Sequence, residues 1–471
     1  MSPFLVLLIG IAFVIVAIAV FRFHPFFALI LAAVLVGAMS PQDLPGEEGV
    51  PQATRALELT AKAFGSTAGT IGIVIALAAV IGQALMESGA ADKITRRLLA
   101  FLGERRANWA LLGSGYILSV PVFFDTVFFL LVPLARALGM RTGRNFLLYV
   151  MAICAGGAVT HSIVPPTPGP LVMADQLGID LGVAIYGGFL LGLPVAILGG
   201  IWLPRVMSRF TDPPLRDTAG SSRDDLRAIV GKAESELPGF LPSILPVALP
   251  VVLITLHSVV DATAGAAPDP ESYASTLRVT SFLGDKLFAL GSGTAIALWV
   301  LARQKGYSIS GLMDSLEPAI SAAGTIILIT SAGGAFGSML RETGIGDEIG
   351  SLASGGGGGL WLLVIAWGVA AVLKVAQGSG TVSMVTASGI MGAILEDGYA
   401  LPYHPIYVFA AIAFGSKFIS WMNDSGFWVV CKMSGFTQAE TLRTWTVLLG
   451  FMGVAGLIEV LVLSQLLPFA P

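Results

Sequence analysis

Ten residues, Lys417-Phe-Ile-Ser-Trp-Met-Asn-Asp-Ser-Gly426, sit inside an apolar run of about 405–433. That run is long enough to cross a bilayer. A charge at the bilayer centre costs roughly 2.5–3.5 kcal/mol on insertion scales. A chain keeps a lysine, an aspartate, an asparagine and two serines there only where a protein-lined cavity receives them. The stretch therefore reads as the unwound middle of a broken helix.

The rest of the chain suits such a helix. Of 471 residues, 55% are hydrophobic and 12% charged, against about 25% charged in soluble domains. The chain reads as an all-α polytopic membrane protein with the lipid bilayer as its partner. A net charge of −4 argues against nucleic acid. Cys154 and Cys431 lie in apolar runs, and the four histidines are scattered. No disulfide framework, metal site or cofactor is expected. The first run, Phe4–Phe21, lacks a positive leader and is followed by Arg22, so it reads as an uncleaved span.

The chain repeats itself. Gly69-Thr-Ile, Gly82, Leu85, Glu87, Gly89, Asp92 and Ile94 recur 255 positions later as Gly324-Thr-Ile, Gly337, Leu340, Glu342, Gly344, Asp347 and Ile349. The same offset carries Thr126-Val127 onto Thr381-Val382. After Glu87 the loop holds Lys93, Arg96, Arg97, Arg105 and Arg106, whereas after Glu342 it holds Asp347 and Glu348. Basic loops stay in the cytoplasm. Equivalent loops then fall on opposite sides, as in inverted-repeat transporters.

This organisation predicts a first repeat over 1–210, a cytoplasmic linker over 211–240 and an inverted second repeat over 241–471. Each repeat has about five crossings. The run 108–134 has basic flanks on both sides and a proline, Pro121, in its middle. It reads as a re-entrant hairpin from the inside. The run 360–395 breaks at 377–383 and reads as a hairpin from the outside. Broken helices are expected at about 145–172, where four prolines fall in six residues (Pro165, Pro166, Pro168, Pro170), and at about 404–433. Both termini are placed outside.

Unwound backbone at membrane depth needs a cavity or protein to satisfy it. Helix starts there aim positive dipole ends inward, which suits a carboxylate. Hydroxyls at the same level suit a polyhydroxylated ligand. The candidate substrate contacts are Ser119, Thr126, Thr160, Ser162, Thr167, Gly169, Gln377, Ser379, Gly380, Thr381, Ser383, Lys417, Ser420, Asn423 and Ser425. Asp125, His161 and Asp424 are the proton-coupling candidates. Each has a plainer reading: Asp424 as an ion-pair partner of Lys417, Asp125 as a helix cap, His161 as a satisfied core residue. Lys417 either binds the carboxylate or neutralises Asp424, and Lys374 is a competing cation. Glu87 and Glu342 are expected to cap or pair locally. The glycine tract 355–359 lacks the Gly-Lys-Ser/Thr of a phosphate loop and reads as a linker.

Three segments, Val120-Pro-Val-Phe-Phe-Asp125, Thr160-His-Ser…Pro165-Pro-Thr-Pro-Gly-Pro170 and Gly415-Ser-Lys…Trp421-Met-Asn-Asp-Ser-Gly-Phe-Trp428, resemble those of the gluconate permease family of proton symporters, in the family's order. The similarity extends over essentially the whole chain. It implies proton-coupled uptake of gluconate or a related hydroxy-monocarboxylate across a bacterial inner membrane. It also implies kinship with a wider ion-transporter group whose members pair two hairpins and often form homodimers. The family motif usually reads Pro-Pro-His-Pro-Gly-Pro, and Thr167 replaces the histidine. The substrate choice is therefore open among gluconate and acids such as glycerate, idonate, fructuronate or D-serine. A sodium-coupled carboxylate symporter and an anion exchanger of the same architecture are the alternative readings. A channel would need no inverted hairpins. No protease or nucleotide-binding motif supports an enzyme or a pump.

Overall fold

A computed structural model describes residues 2–47, 49–142, 145–216, 234–266, 270–344, 359–396 and 401–469. The acidic residues Glu48, Asp347, Glu348 and Asp397, and most of the 211–240 linker, lie outside the described residues.

The main helices fall into two halves. The first half holds α1 (Pro3–Ile15), α2 (Pro25–Ala38), α3 (Gln52–Glu87), α4 (Ala90–Leu102), α5 (Ala107–Leu118), α6 (Phe124–Thr142), α7 (Phe146–Ile163), α8 (Pro168–Gln176) and α9 (Leu181–Met207). The second holds α10 (Phe240–Ala266), α11 (Ala274–Leu283), α12 (Lys286–Lys305), α13 (Ile309–Arg341), α14 (Leu360–Gln377), α15 (Gly380–Glu396), α16 (Ile406–Gly415), α17 (Ser425–Ser434) and α18 (Gln438–Leu466). No strand occurs among the described residues. Local signals set many of the starts. Pro3 and Pro25 open α1 and α2, while Asp180 and Asp285 cap α9 and α12 by accepting two backbone N–H groups each.

The repeat is visible in the element order. The long helices α3 and α13 correspond, as do the hairpins α5–α6 and α14–α15 and the broken pairs α7–α8 and α16–α17. Gly89 and Gly344, equivalent in the repeat, both take left-handed backbone (φ +80° and +71°) just past the ends of α3 and α13. Only glycine does this without strain.

Eight helical stretches among the described residues are long and apolar enough to cross a membrane: α3, α7–α8 together, α9, α10, α12, α13, α14 and α18. Ten crossings were expected. The helices α1 and α2 are shorter, and residues 416–424 divide the second broken crossing into two ten-residue halves. In the other direction, α3 begins at Gln52 and α13 at Ile309, well before the apolar runs at 69 and 318. Their early turns mix the helix formers alanine and leucine with charged residues (Arg55, Glu58 and Lys62 in α3, Asp314 and Glu317 in α13), which lower the hydropathy without ending the helix.

The repeat-related helices α3 and α13 pack on one another through small residues. A methyl group on Gly334 would collide with Thr67, and one on Gly337 would fall 2.5 Å from the Gly389 Cα of α15. Helices in lipid associate by such close approach rather than by the hydrophobic effect.

The start of the linker is fastened to the second half. Arg216 donates to both carboxylate oxygens of Glu440 (2.6 and 2.9 Å) and to the Gly435 carbonyl. Fully buried Arg136 of α6 donates to the carbonyls of Ser434 and Arg216.

Candidate functional site

Four helix starts meet around one cavity of about 420 Å³. They are Phe124 and Asp125 of α6, Pro168 of α8, Gly380 and Thr381 of α15, and Ser425 and Gly426 of α17. Each start follows a break: residues 119–123, 164–167, 378–379 and 416–424. Pro168 at the first position of α8 suits a helix start, because its missing N–H would be unpaired there in any case. The positive dipole ends of four helices point into this one cavity, an arrangement that favours an anion.

Four charged side chains line the cavity: Asp125, Lys374, Lys417 and Asp424. Two are tied together. Lys374 Nζ lies 2.5 Å from Asp424 Oδ2, with side-chain exposures of 4% and 12%, and also donates to the Gly378 carbonyl at 2.6 Å. Asp424 accepts further hydrogen bonds from the Ser420 hydroxyl and from the Gly426 N–H, the latter capping α17. Ser420 in turn accepts from Trp445 Nε1 at 2.7 Å. The ion-pair partner of Asp424 is therefore Lys374, fifty residues away, and not Lys417, seven residues away. The second hairpin's tip reaches across to the broken helix, where Val375 also accepts from Trp421 Nε1 (3.0 Å) and Asn423 Nδ2 (2.9 Å). The turn is tight at Gly378 (φ +82°), where any Cβ would strike the Asn423 carbonyl.

Lys417 and Asp125 are left. Among the described residues the Lys417 ammonium makes no hydrogen bond or ion pair within normal reach, and no cation is bonded to Asp125. Asp125 lies inside the first turn of α6 and caps no backbone N–H there. Its carboxylate faces the Ser425 hydroxyl. His161, also on the cavity, packs edge-on against Phe123 and has a buried Nδ1 with no partner among the described residues. Both polar atoms of the Gln377 amide are likewise buried and unpartnered, and a ligand in the cavity would supply what they lack.

Of the residues singled out in the sequence, the cavity gathers Asp125, His161, Gln377, Ser379, Gly380, Thr381, Lys417, Asn423, Asp424 and Ser425. The others stand outside its lining. Ser162 donates to the Ala158 carbonyl of its own helix, and Thr167, in the break before α8, donates to the Val164 carbonyl. Ser383 donates to the Ala370 carbonyl and joins the two arms of its hairpin. Ser420 orients Asp424. Gly169 lies against Met384 with no room for a side chain. Ser119 and Thr160 are fully buried, with hydroxyls that lack partners among the described residues. Thr126 lines a separate, smaller cavity. Sequence reading missed Trp445, which stacks on Phe124 (centroids 5.1 Å apart) and holds Ser420. No local pattern marks it.

A family model for GntP family permeases matches residues 2–467. The chain belongs to the GntP permease family. The permease is 31% identical over 466 residues to a gluconate permease of Pseudomonas aeruginosa, covering 98% of this chain and 97% of that one. It is also 31% identical to the Gnt-II system L-idonate transporter of Escherichia coli, covering 99% and 100%. Its fold resembles that of Neisseria gonorrhoeae MtrF, described as illuminating a class of antimetabolite efflux pumps (TM-score 0.67, 14% identity, 97% and 99% coverage). The permease is thus a multi-pass membrane transporter and not an enzyme.

Proposed function

We propose that the permease carries gluconate, or a related hydroxy-monocarboxylate such as idonate, inward across the bacterial inner membrane together with protons. One observation carries the reading: Lys417, a cation without a protein partner among the described residues, stands in a cavity ringed by four helix starts. The substrate carboxylate docks on Lys417 and the helix starts. Its hydroxyls meet Gln377, Ser379, Thr381, Asn423 and Ser425. The two nearly full-length relatives named for gluconate and L-idonate transport support the substrate class.

Asp125 is the proton carrier in this reading. Asp424 already has Lys374, Ser420 and Gly426 as partners for its carboxylate and serves to hold the second hairpin. Asp125 has no cation bonded to it and shares the cavity with the substrate. The basic loop after α3, with Lys93, Arg96 and Arg97, marks the cytoplasmic side, and both termini then face outward.

The substitution Asp125→Asn tests the coupling. In proteoliposomes it should lose pH-driven accumulation of labelled gluconate while keeping exchange of gluconate across the membrane at about the normal rate. Accumulation at the wild-type level in Asp125→Asn would exclude Asp125 as the carrier.

A further inference from the structure

Phe123, at the tip of the first hairpin, belongs to two cavities at once. On one side it lines the substrate cavity. On the other it lines a second space of about 180 Å³ with Gln83, Thr126, Pro318 and Ala322. Both spaces lie along α13: Ile326 faces the first, and Ala322, one helical turn earlier, faces the second. Phe123, at the end of the turn Pro121-Val122-Phe123, is the lining residue the two share, and its ring is held edge-on against His161 (centroids 5.9 Å apart).

The second space has its own chemistry. The Thr126 hydroxyl makes no hydrogen bond to any described residue. Gln83 is in the lining; its amide nitrogen donates to Glu87 and to the Ser315 carbonyl, and its oxygen accepts from no described residue. No lysine or arginine is in the lining. Such a site can read hydroxyl groups but offers a carboxylate no counter-charge. Its volume equals roughly six waters at about 30 Å³ each, room for a short polyol chain. It also points the right way. One turn beyond Gln83 is Glu87, bonded to Tyr307, and then α4 with Lys93, Arg96 and Arg97.

We propose that this space is a transit subsite for the polyol part of the sugar acid, entered when Phe123 leaves His161, between the substrate cavity and the basic end of the molecule. The proposal rests on the transport reading above and deepens it. In the resting arrangement Phe123 closes the subsite. In transit Thr126 and Gln83 take over the hydroxyl contacts that the substrate cavity gives up.

The test uses the full-length permease in proteoliposomes preloaded with labelled gluconate. Phe123→Ala should speed gluconate efflux by about tenfold and lower the accumulation reached at a fixed pH gradient. Efflux and accumulation at wild-type levels would overturn the subsite. A second variant, Thr126→Cys, keeps the proposal testable if Phe123→Ala does not fold. The native Cys154 and Cys431 are buried, so a small methanethiosulfonate reagent reports on position 126. The expected result is modification that blocks uptake and that gluconate slows. No modification, or modification without effect on uptake, would also overturn it. A wild-type permease that moves no sugar acid at all would instead overturn the transport reading, and the two failures are thereby told apart.

Discussion

Lys417→Met should remove nearly all gluconate uptake at micromolar substrate. A hydrogen bond to a charged group is worth about 1.5–3 kcal/mol, and each 1.4 kcal/mol is tenfold in affinity. The half-saturation concentration should therefore rise by about 10- to 100-fold. The effect falls on the substrate because Lys417 has no protein partner among the described residues to lose. The folded protein should keep its yield and its melting temperature, since methionine fills much of the same space without a charge to bury. A melting temperature well below wild type, with unchanged half-saturation in the protein that remains, would make Lys417 a structural residue.

Lys374→Met should do the reverse. Its ammonium group is bonded to Asp424 and to the Gly378 carbonyl in a nearly dry setting. Removing one member of a buried ion pair leaves the other uncompensated and costs about 3–5 kcal/mol. The permease should become markedly less thermostable, because the second hairpin loses its main tie to the broken helix. Lys374→Met combined with Asp424→Asn removes both charges and should recover most of that loss. A thermal-melting cycle over wild type, both single variants and the double variant measures the coupling. Additive losses would mean that the two side chains do not act as a pair.

These two lysines also mark where sequence reading stops. All four breaks could be read from residues 119–126, 160–170, 377–383 and 416–426, because prolines and polar groups at membrane depth have few explanations. The duplication was plain for the same reason that Gly89 and Gly344 share a backbone conformation. Which cation meets Asp424 was not legible. Lys417 is close in sequence, but residues 416–424 are unwound, so helical spacing says nothing about where its side chain goes. Lys374 arrives through packing of a hairpin tip. The hydroxyls were hidden in a similar way. Ser162 turns to a carbonyl one helical turn back, as serine in helices often does, and Thr167 to the Val164 carbonyl within its break, while Ser379 and Thr381 line the cavity. That difference lies in which way each side chain turns in the folded backbone, which a list of polar residues does not contain. The early starts of α3 and α13 escaped because hydropathy measures lipid exposure and not helix formation.

The central claim is that a proton gradient drives a sugar acid through this cavity. The direct measurement is uptake of labelled gluconate by wild-type proteoliposomes in sodium-free buffer, with the outside acidic. The account predicts accumulation above the outside concentration that collapses when a protonophore is added. Uptake that ignores the pH gradient and the protonophore but requires sodium, or an anion on the far side, would contradict it.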